Sequence, residues 1–172
     1  MNYLEGKNIY LRAVEPSDAP KILVWENNQE NWRVSNTEAP YSLQAILDHI
    51  HSIQNFRQSG ELRLMICLKE NNDSIGTLDL YDAHFKHQRV GIGILIADSS
   101  NRKKGYASES LELIKKYVLD FLEFHTIFAH ILEDNFESIQ LFEKAGFIKV
   151  GTKLACFVEK GKRINEHIYQ YL

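Results

Sequence analysis

The sequence predicts one α/β (α+β) domain spanning residues 1–172, in which a mixed sheet of about seven strands carries about four helices. Three observations predict it. A chain of 172 residues suits one core and is too short for two comfortable ones. Apolar runs of strand length are interspersed with segments of helical period. No internal repeat, low-complexity stretch or linker interrupts that order.

The first strand is Ile9-Tyr10-Leu11-Arg12-Ala13-Val14, ended by Glu15-Pro16. Ser17 or Asp18 then caps a short helix running to Asn27. Gln29 to Pro40 is polar, carries Trp32 and lacks a period, so a loop is expected there. Ser42 opens a second helix, because Leu43, Ile46, Leu47, Ile50 and Ile53 fall on one face. Two β-type runs, Leu62–Leu68 and Ile75–Tyr81, flank the turn-forming Asn71-Asn72-Asp73-Ser74. Arg89 to Ala97 is apolar almost throughout, as in a strand covered on both faces. Its glycines, 91 and 93, suggest a bulge or a close backbone approach. From Ala107 a helical stripe forms from Leu111, Ile114, Val118, Phe121 and Leu122. Strand Ile127–Leu132 follows, then helix Asn135–Ala145 stopped by Gly146. Strands Ile148–Phe157 and Arg163–Leu172 close the chain around Lys160-Gly161-Lys162.

Composition narrows the classes of function. The net charge of −3 lacks the basic footprint of a nucleic-acid binder. No apolar run approaches the roughly 18 residues of a membrane span, and the N-terminus lacks the apolar stretch of a signal peptide. Cys67 and Cys156 both lie in apolar strand runs, so buried free thiols are expected, and with them a reducing cytoplasm. The seven histidines are scattered without clustered ligand partners, so no metal site is expected.

The chemistry concentrates between residues 98 and 107. An apolar strand ends at Ala97, a polar turn follows, and Arg102-Lys103-Lys104-Gly105-Tyr106-Ala107 open a helix. The first turn of a helix has unpartnered N–H groups and the positive end of the dipole. Gly105 permits close backbone approach, and the three cations add attraction for a polyanion. A solvated basic helix start is the plain alternative. Cations there have the wrong sign for the dipole, however, and a bound anion would resolve that conflict.

Arg102-x-x-Gly105-x-Ala107 resembles the R/Q-x-x-G-x-G/A pyrophosphate loop of the GCN5-related N-acetyltransferase (GNAT) superfamily. The segment from Asn135 to Phe147 resembles that superfamily's second signature, N-x-x-(A/S)-x-x-x-Y/F-x-x-x-G-F. Both stand in the right order around strand 127–132. The Ile9–Asp18 opening and the C-terminal hairpin also resemble the branch of ribosomal-protein alanine and spermidine N-acetyltransferases.

The resemblance implies a mostly antiparallel sheet with a splayed central strand pair, and acetyl-CoA as acyl donor without a metal. It implies that the backbone at Leu95 and Ile96 pairs with the pantetheine arm. It also implies that amides of Arg102, Lys103, Lys104, Gly105, Tyr106 and Ala107 hold the pyrophosphate, and that Asn135, Ser138 and Phe142 contact the cofactor. A neutral amine would attack the thioester directly. Two positions depart from the pattern: Phe142 stands where relatives often carry a tyrosine acid, and Gly91 where many carry a glutamate. Asp79 and Glu38 are the candidate bases, with Asp82 and His84 behind them; Tyr41, Tyr81 and Tyr106 are candidate acids. Three functions stay open: an N-acetyltransferase acting on a small or N-terminal amine, a non-catalytic acyl-CoA-binding module, and a nucleotide binder lacking a P-loop ending. The C-terminal hairpin offers a surface for pairing with another subunit.

Overall fold

The computed structural model describes residues 2–172. One sheet of seven strands organises it, in the order β1-β2-β3-β4-β5-β7-β6. The strands are β1 (Ile9–Ala13), β2 (Leu62–Leu68), β3 (Ser74–His84), β4 (Arg89–Ile96), β5 (Thr126–Leu132), β6 (Ile148–Glu159) and β7 (Lys162–Tyr171). Every neighbouring pair is antiparallel except β4 and β5. Six α-helices accompany them: α1 (Ala19–Glu26), α2 (Gln29–Ser35), α3 (Leu43–Ser52), α4 (Phe56–Ser59), α5 (Tyr106–Lys116) and α6 (Phe136–Lys144).

Alternation along the strands builds two cores. On β2, Leu64, Ile66 and Leu68 join Leu111 and Ile114 of α5 and Phe142 of α6. Met65 and Cys67 point the other way, onto Ile22 of α1 and Ile46 and Ile50 of α3. The period of 2 in a strand thus divides one sheet between two helical layers.

Two helices stand where none was expected. In α2, the Asn28 side chain accepts from the Glu30 amide, and left-handed Asn36 (φ 54°) ends the helix. Its anchors are tertiary: Trp32 Nε1 donates to the Glu26 carbonyl at 2.8 Å, and buried Asn31 donates to the Trp25 carbonyl at 3.2 Å. Polar side chains that bond to another helix leave no apolar period to read. The four-residue α4 is too short to show one; Asn55 caps it and Gly60 (φ 72°) stops it. The helix count is therefore six rather than about four. Cys156 is also exposed, not buried as expected, because β6 lies at the edge of the sheet.

The expected splay is present. β4 pairs with β5 only through Arg89–Gly91 against Thr126–Phe128. Beyond Gly91, β4 stays on β3 while β5 pairs with β7, so the β5-facing edge of Ile92–Ile96 is left open. The Tyr81 and Phe128 rings meet edge-on at the fork, 5.8 Å apart. A Cβ on Gly91 would lie 2.4 Å from the Tyr81 ring and 2.8 Å from that of Phe128. Glycine at 91 makes room for this aromatic pair.

Candidate active site

Two cavities meet at the open edge of β4. The larger, about 620 Å³, lies between the end of β4, the start of α5, and α6. The smaller, about 430 Å³, lies toward α1, α2 and α3. Val34, Ile94 and Leu95 line both, so the strand edge and one side chain of α2 separate them.

The larger cavity is floored by the segment that the sequence singled out. Asp98 accepts from the Ser100 amide at 2.8 Å, fixing the turn that leaves β4. That contact, with the Ser100 side chain and the nearby cations Arg102 and Lys104, holds the Asp98 carboxyl below the usual range. The chain then takes left-handed conformations at Lys103 (φ 60°) and Gly105 (φ 85°) before α5 begins. These reversals leave the amides opening α5 facing the cavity, unpartnered as in any first helical turn. A Cβ on Gly105 would meet nothing within 4 Å, so its conformation, not crowding, calls for glycine.

Of the predicted cofactor residues, Leu95, Ile96, Arg102, Lys103, Gly105, Tyr106, Ala107, Asn135 and Ser138 line this cavity. Lys104 does not. Phe142 is corrected: it is buried in the core, edge-on to Phe147 at 5.0 Å, and lines neither cavity. Phe142 stands one turn beyond Ser138, where α6 packs into the core against Phe147, whereas Ser138 and Leu141 line the cavity. Asn135 caps α6 through its Oδ1, which accepts from the Ser138 amide at 3.3 Å.

Arg102 does work that the sequence did not show. Its Nε donates to the Ile96 carbonyl at 3.0 Å. Its Nη2 reaches the Ala97 carbonyl at 3.4 Å and Asn31 Oδ1 at 3.3 Å. The guanidinium thus satisfies carbonyls at the end of the splayed strand and ties α2 across the cavity.

In the smaller cavity, Arg63 is the hub. It donates from Nε and Nη2 to the two oxygens of Asp79, at 2.7 and 3.0 Å, and from Nη1 to Glu26 Oε1 at 3.0 Å. Burial alone would lower the Arg63 pKa, but the charges and hydrogen bonds of Asp79 and Glu26 outweigh it and keep the guanidinium charged. Asp79 lines this cavity, opposite Gly93 in register, and is bound to Arg63. Glu38 is exposed and lines neither cavity, and Asp82 is also exposed. His84 stacks on His87, 4.3 Å away. Burial, with Asp82 and Glu166 nearby, raises the Tyr81 phenol and keeps it protonated. Glu26, Arg63 and His49 were missed because they lie on separate elements that only folding brings together.

A parallel strand pair that parts beside a helix opened by a glycine-hinged loop is the architecture of an acyl-CoA N-acyltransferase. The acetyltransferase (GNAT) domain family matches residues 8–148, and the chain belongs to that family; it is an acetyltransferase. Enzymes of this family use acetyl-CoA. A probable N-acetyltransferase, YjcK, of Bacillus subtilis is 27% identical over 154 residues, covering 86% of this chain and 84% of that protein. A spermidine N(1)-acetyltransferase of Vibrio cholerae is 25% identical over 157 residues, covering 91% of this chain and 88% of its own. A crystal structure of spermidine N-acetyltransferase from Vibrio cholerae with CoA and spermine superposes with a TM-score of 0.87 at 20% identity, over 96% of each chain. A dodecameric structure of that enzyme gives 0.81 at 22% identity, over 97% of this chain and 95% of its own. Among the described residues, no helix is long and apolar enough to cross a membrane, and no three His, Cys, Asp or Glu side chains converge as a metal site would require.

Proposed function

We propose that this acetyltransferase moves the acetyl group of acetyl-CoA to a primary amine, of a small molecule such as a polyamine or of a protein N-terminus, by direct attack of the neutral amine on the thioester. One observation carries the reading: a phosphate-type cradle and a carboxylate-lined cavity meet at the unpaired edge of β4. Amides at the start of α5, from Gly105 to Ala107, would hold the pyrophosphate, that of Arg102 being taken by the Ser99 carbonyl at 3.1 Å, and the edge of Leu95 and Ile96 would pair with the pantetheine arm, as an added strand does. Asn135 keeps its side-chain NH₂ for the cofactor while its oxygen caps α6.

On the acceptor side, Asp79 is the predicted carboxylate that lines the cavity. Arg63 takes both of its oxygens, so it shapes the acceptor side through that ion pair and leaves the amine proton a path to solvent. Glu38 lies outside the cavity and is the weaker candidate. Neither cysteine lies in a cavity wall, which suits direct attack without an enzyme thioester. Two unpaired thiols favour a reducing cytoplasm. The β6 edge, with Leu154 and Val158 exposed, favours association between copies.

Thiol release from acetyl-CoA, followed over polyamines, amino acids, aminoglycosides and Ala- or Ser-starting peptides, tests the function. Turnover with at least one amine is expected. Tight CoA binding without turnover on any would instead indicate a non-catalytic acyl-CoA-binding module.

A further inference from the structure

The acceptor cavity has an unusual charge balance. Three charged side chains line it: Glu26 on α1, Arg63 on β2 and Asp79 on β3. Arg63 and Glu26 are largely buried, with 15% of each side chain exposed, and Asp79 retains 31%. Both Asp79 oxygens are taken by Arg63, and so is one Glu26 oxygen. Two carboxylates against one guanidinium leave one negative charge. Glu26 Oε2 is the carboxylate oxygen that accepts no hydrogen bond among the described residues.

The remaining walls set the apolar Val34, Ala45, Ile46, Ile94 and Leu95 beside Ser35, Tyr41, Thr77 and the imidazole of His49. Gly93 adds space over β4, since a Cβ there would meet nothing within 4 Å and its φ is unstrained. Gly91 differs, because the fold itself demands it. A volume of about 430 Å³ is enough to enclose a small ligand body.

From this we infer that the acceptor is a small primary amine carrying a single positive charge on an apolar body, its ammonium docked by Glu26. The inference rests on the acetyltransferase reading. One ammonium is matched by one uncompensated carboxylate. A second or third ammonium, as in a linear polyamine, would lie against Val34, Ile94 and Leu95 without a counter-charge, and burying an unpaired cation is costly. A carboxylate on the acceptor would face Glu26 and Asp79 instead.

The test compares kcat/KM, by thiol release at saturating acetyl-CoA, for 2-phenylethylamine, phenylalanine, a linear diamine and spermidine. 2-Phenylethylamine should lead each of the others by on the order of tenfold or more. Glu26→Gln, which keeps an acceptor for Arg63 but removes the charge, should raise the KM for that amine by about tenfold and leave the KM for acetyl-CoA unchanged. Asp79→Asn also brings the cavity to neutrality and should produce a similar loss, which covers the case in which Glu26→Gln does not fold. Spermidine or the diamine leading the series, or an unchanged acceptor KM in both variants, would overturn the inference and leave the acetyltransferase reading standing. No release from any amine would overturn both.

Discussion

Replacing Gly105 by aspartate separates the cradle from a plain basic helix start. Gly105 sits at φ 85° as the residue before α5, and its missing Cβ faces open cavity. An aspartate would bear left-handed strain of about 1 kcal/mol. For a chain of this size that corresponds to a Tm fall of roughly 2–4 °C. The carboxylate would not recover this as an ordinary N-cap, which needs extended backbone. Its effect on binding should be larger. A unit charge about 5 Å from a phosphate oxygen is worth about 3 kcal/mol at an effective dielectric of 20. Gly105 is exposed, so screening by physiological salt reduces this to about 2 kcal/mol. The Kd for CoA should then rise roughly 30-fold by calorimetry. Gly105→Ala carries comparable strain without charge, so it should show a comparable Tm shift and only a small change in Kd. Unchanged affinity in Gly105→Asp, or equal losses in the two variants, would refute the cradle.

Other consequences follow from the same geometry. Arg102→Gln would leave the buried oxygen of Asn31 and the Ile96 carbonyl short of donors, costing about 1–3 kcal/mol in urea unfolding. Because Arg102 and Asn31 line the larger cavity and Val34 lines both, the KM for acetyl-CoA should rise together with that for the acceptor. Gly91→Ala would drive a methyl into the Tyr81 ring and should destabilise by about 1–3 kcal/mol, read from the urea midpoint at constant m-value. Hydrogen bonds from Arg12, then from the Glu15 amide, outweigh burial and hold the Asp18 carboxyl below its ordinary range. The stability it contributes is full above about pH 4 and is lost as pH falls through the lowered value. Urea unfolding of Asp18→Asn should therefore show a shallower fall than wild type across that acid window.

Legibility depended on how local the signal was. The Ser42 and Asn135 caps, the Leu111, Ile114 and Val118 stripe and the Gly146 stop each act within a few residues, and each appears as expected; Phe121, expected on that stripe, is instead exposed, because α5 ends at Lys116 and a π turn shifts the phase. The loop opening α5 was legible for the same reason: its glycine, its turn and its helix start are contiguous. Helix α2 was not, since bonds from Trp32 and Asn31 to α1 hold it in place of an apolar face. Phe142 matched a motif letter but is buried, because one turn beyond Ser138 the helix is packed against Phe147 and the core, a contact made only on folding.

By itself the sequence determined the strand order, four of the six α-helices, the glycine-hinged loop that opens α5, and the family. Those rest on local propensity and contiguous spacing, which a linear chain displays directly. Only the tertiary structure assembled the charged cavity proposed for the acceptor. Glu26, Arg63 and Asp79 come from α1, β2 and β3, and their net charge becomes a property of one cavity when the sheet folds. Gly91 and Arg102 show the same division. Each took its meaning from side chains distant in sequence, the rings of Tyr81 and Phe128 for one and Asn31 for the other.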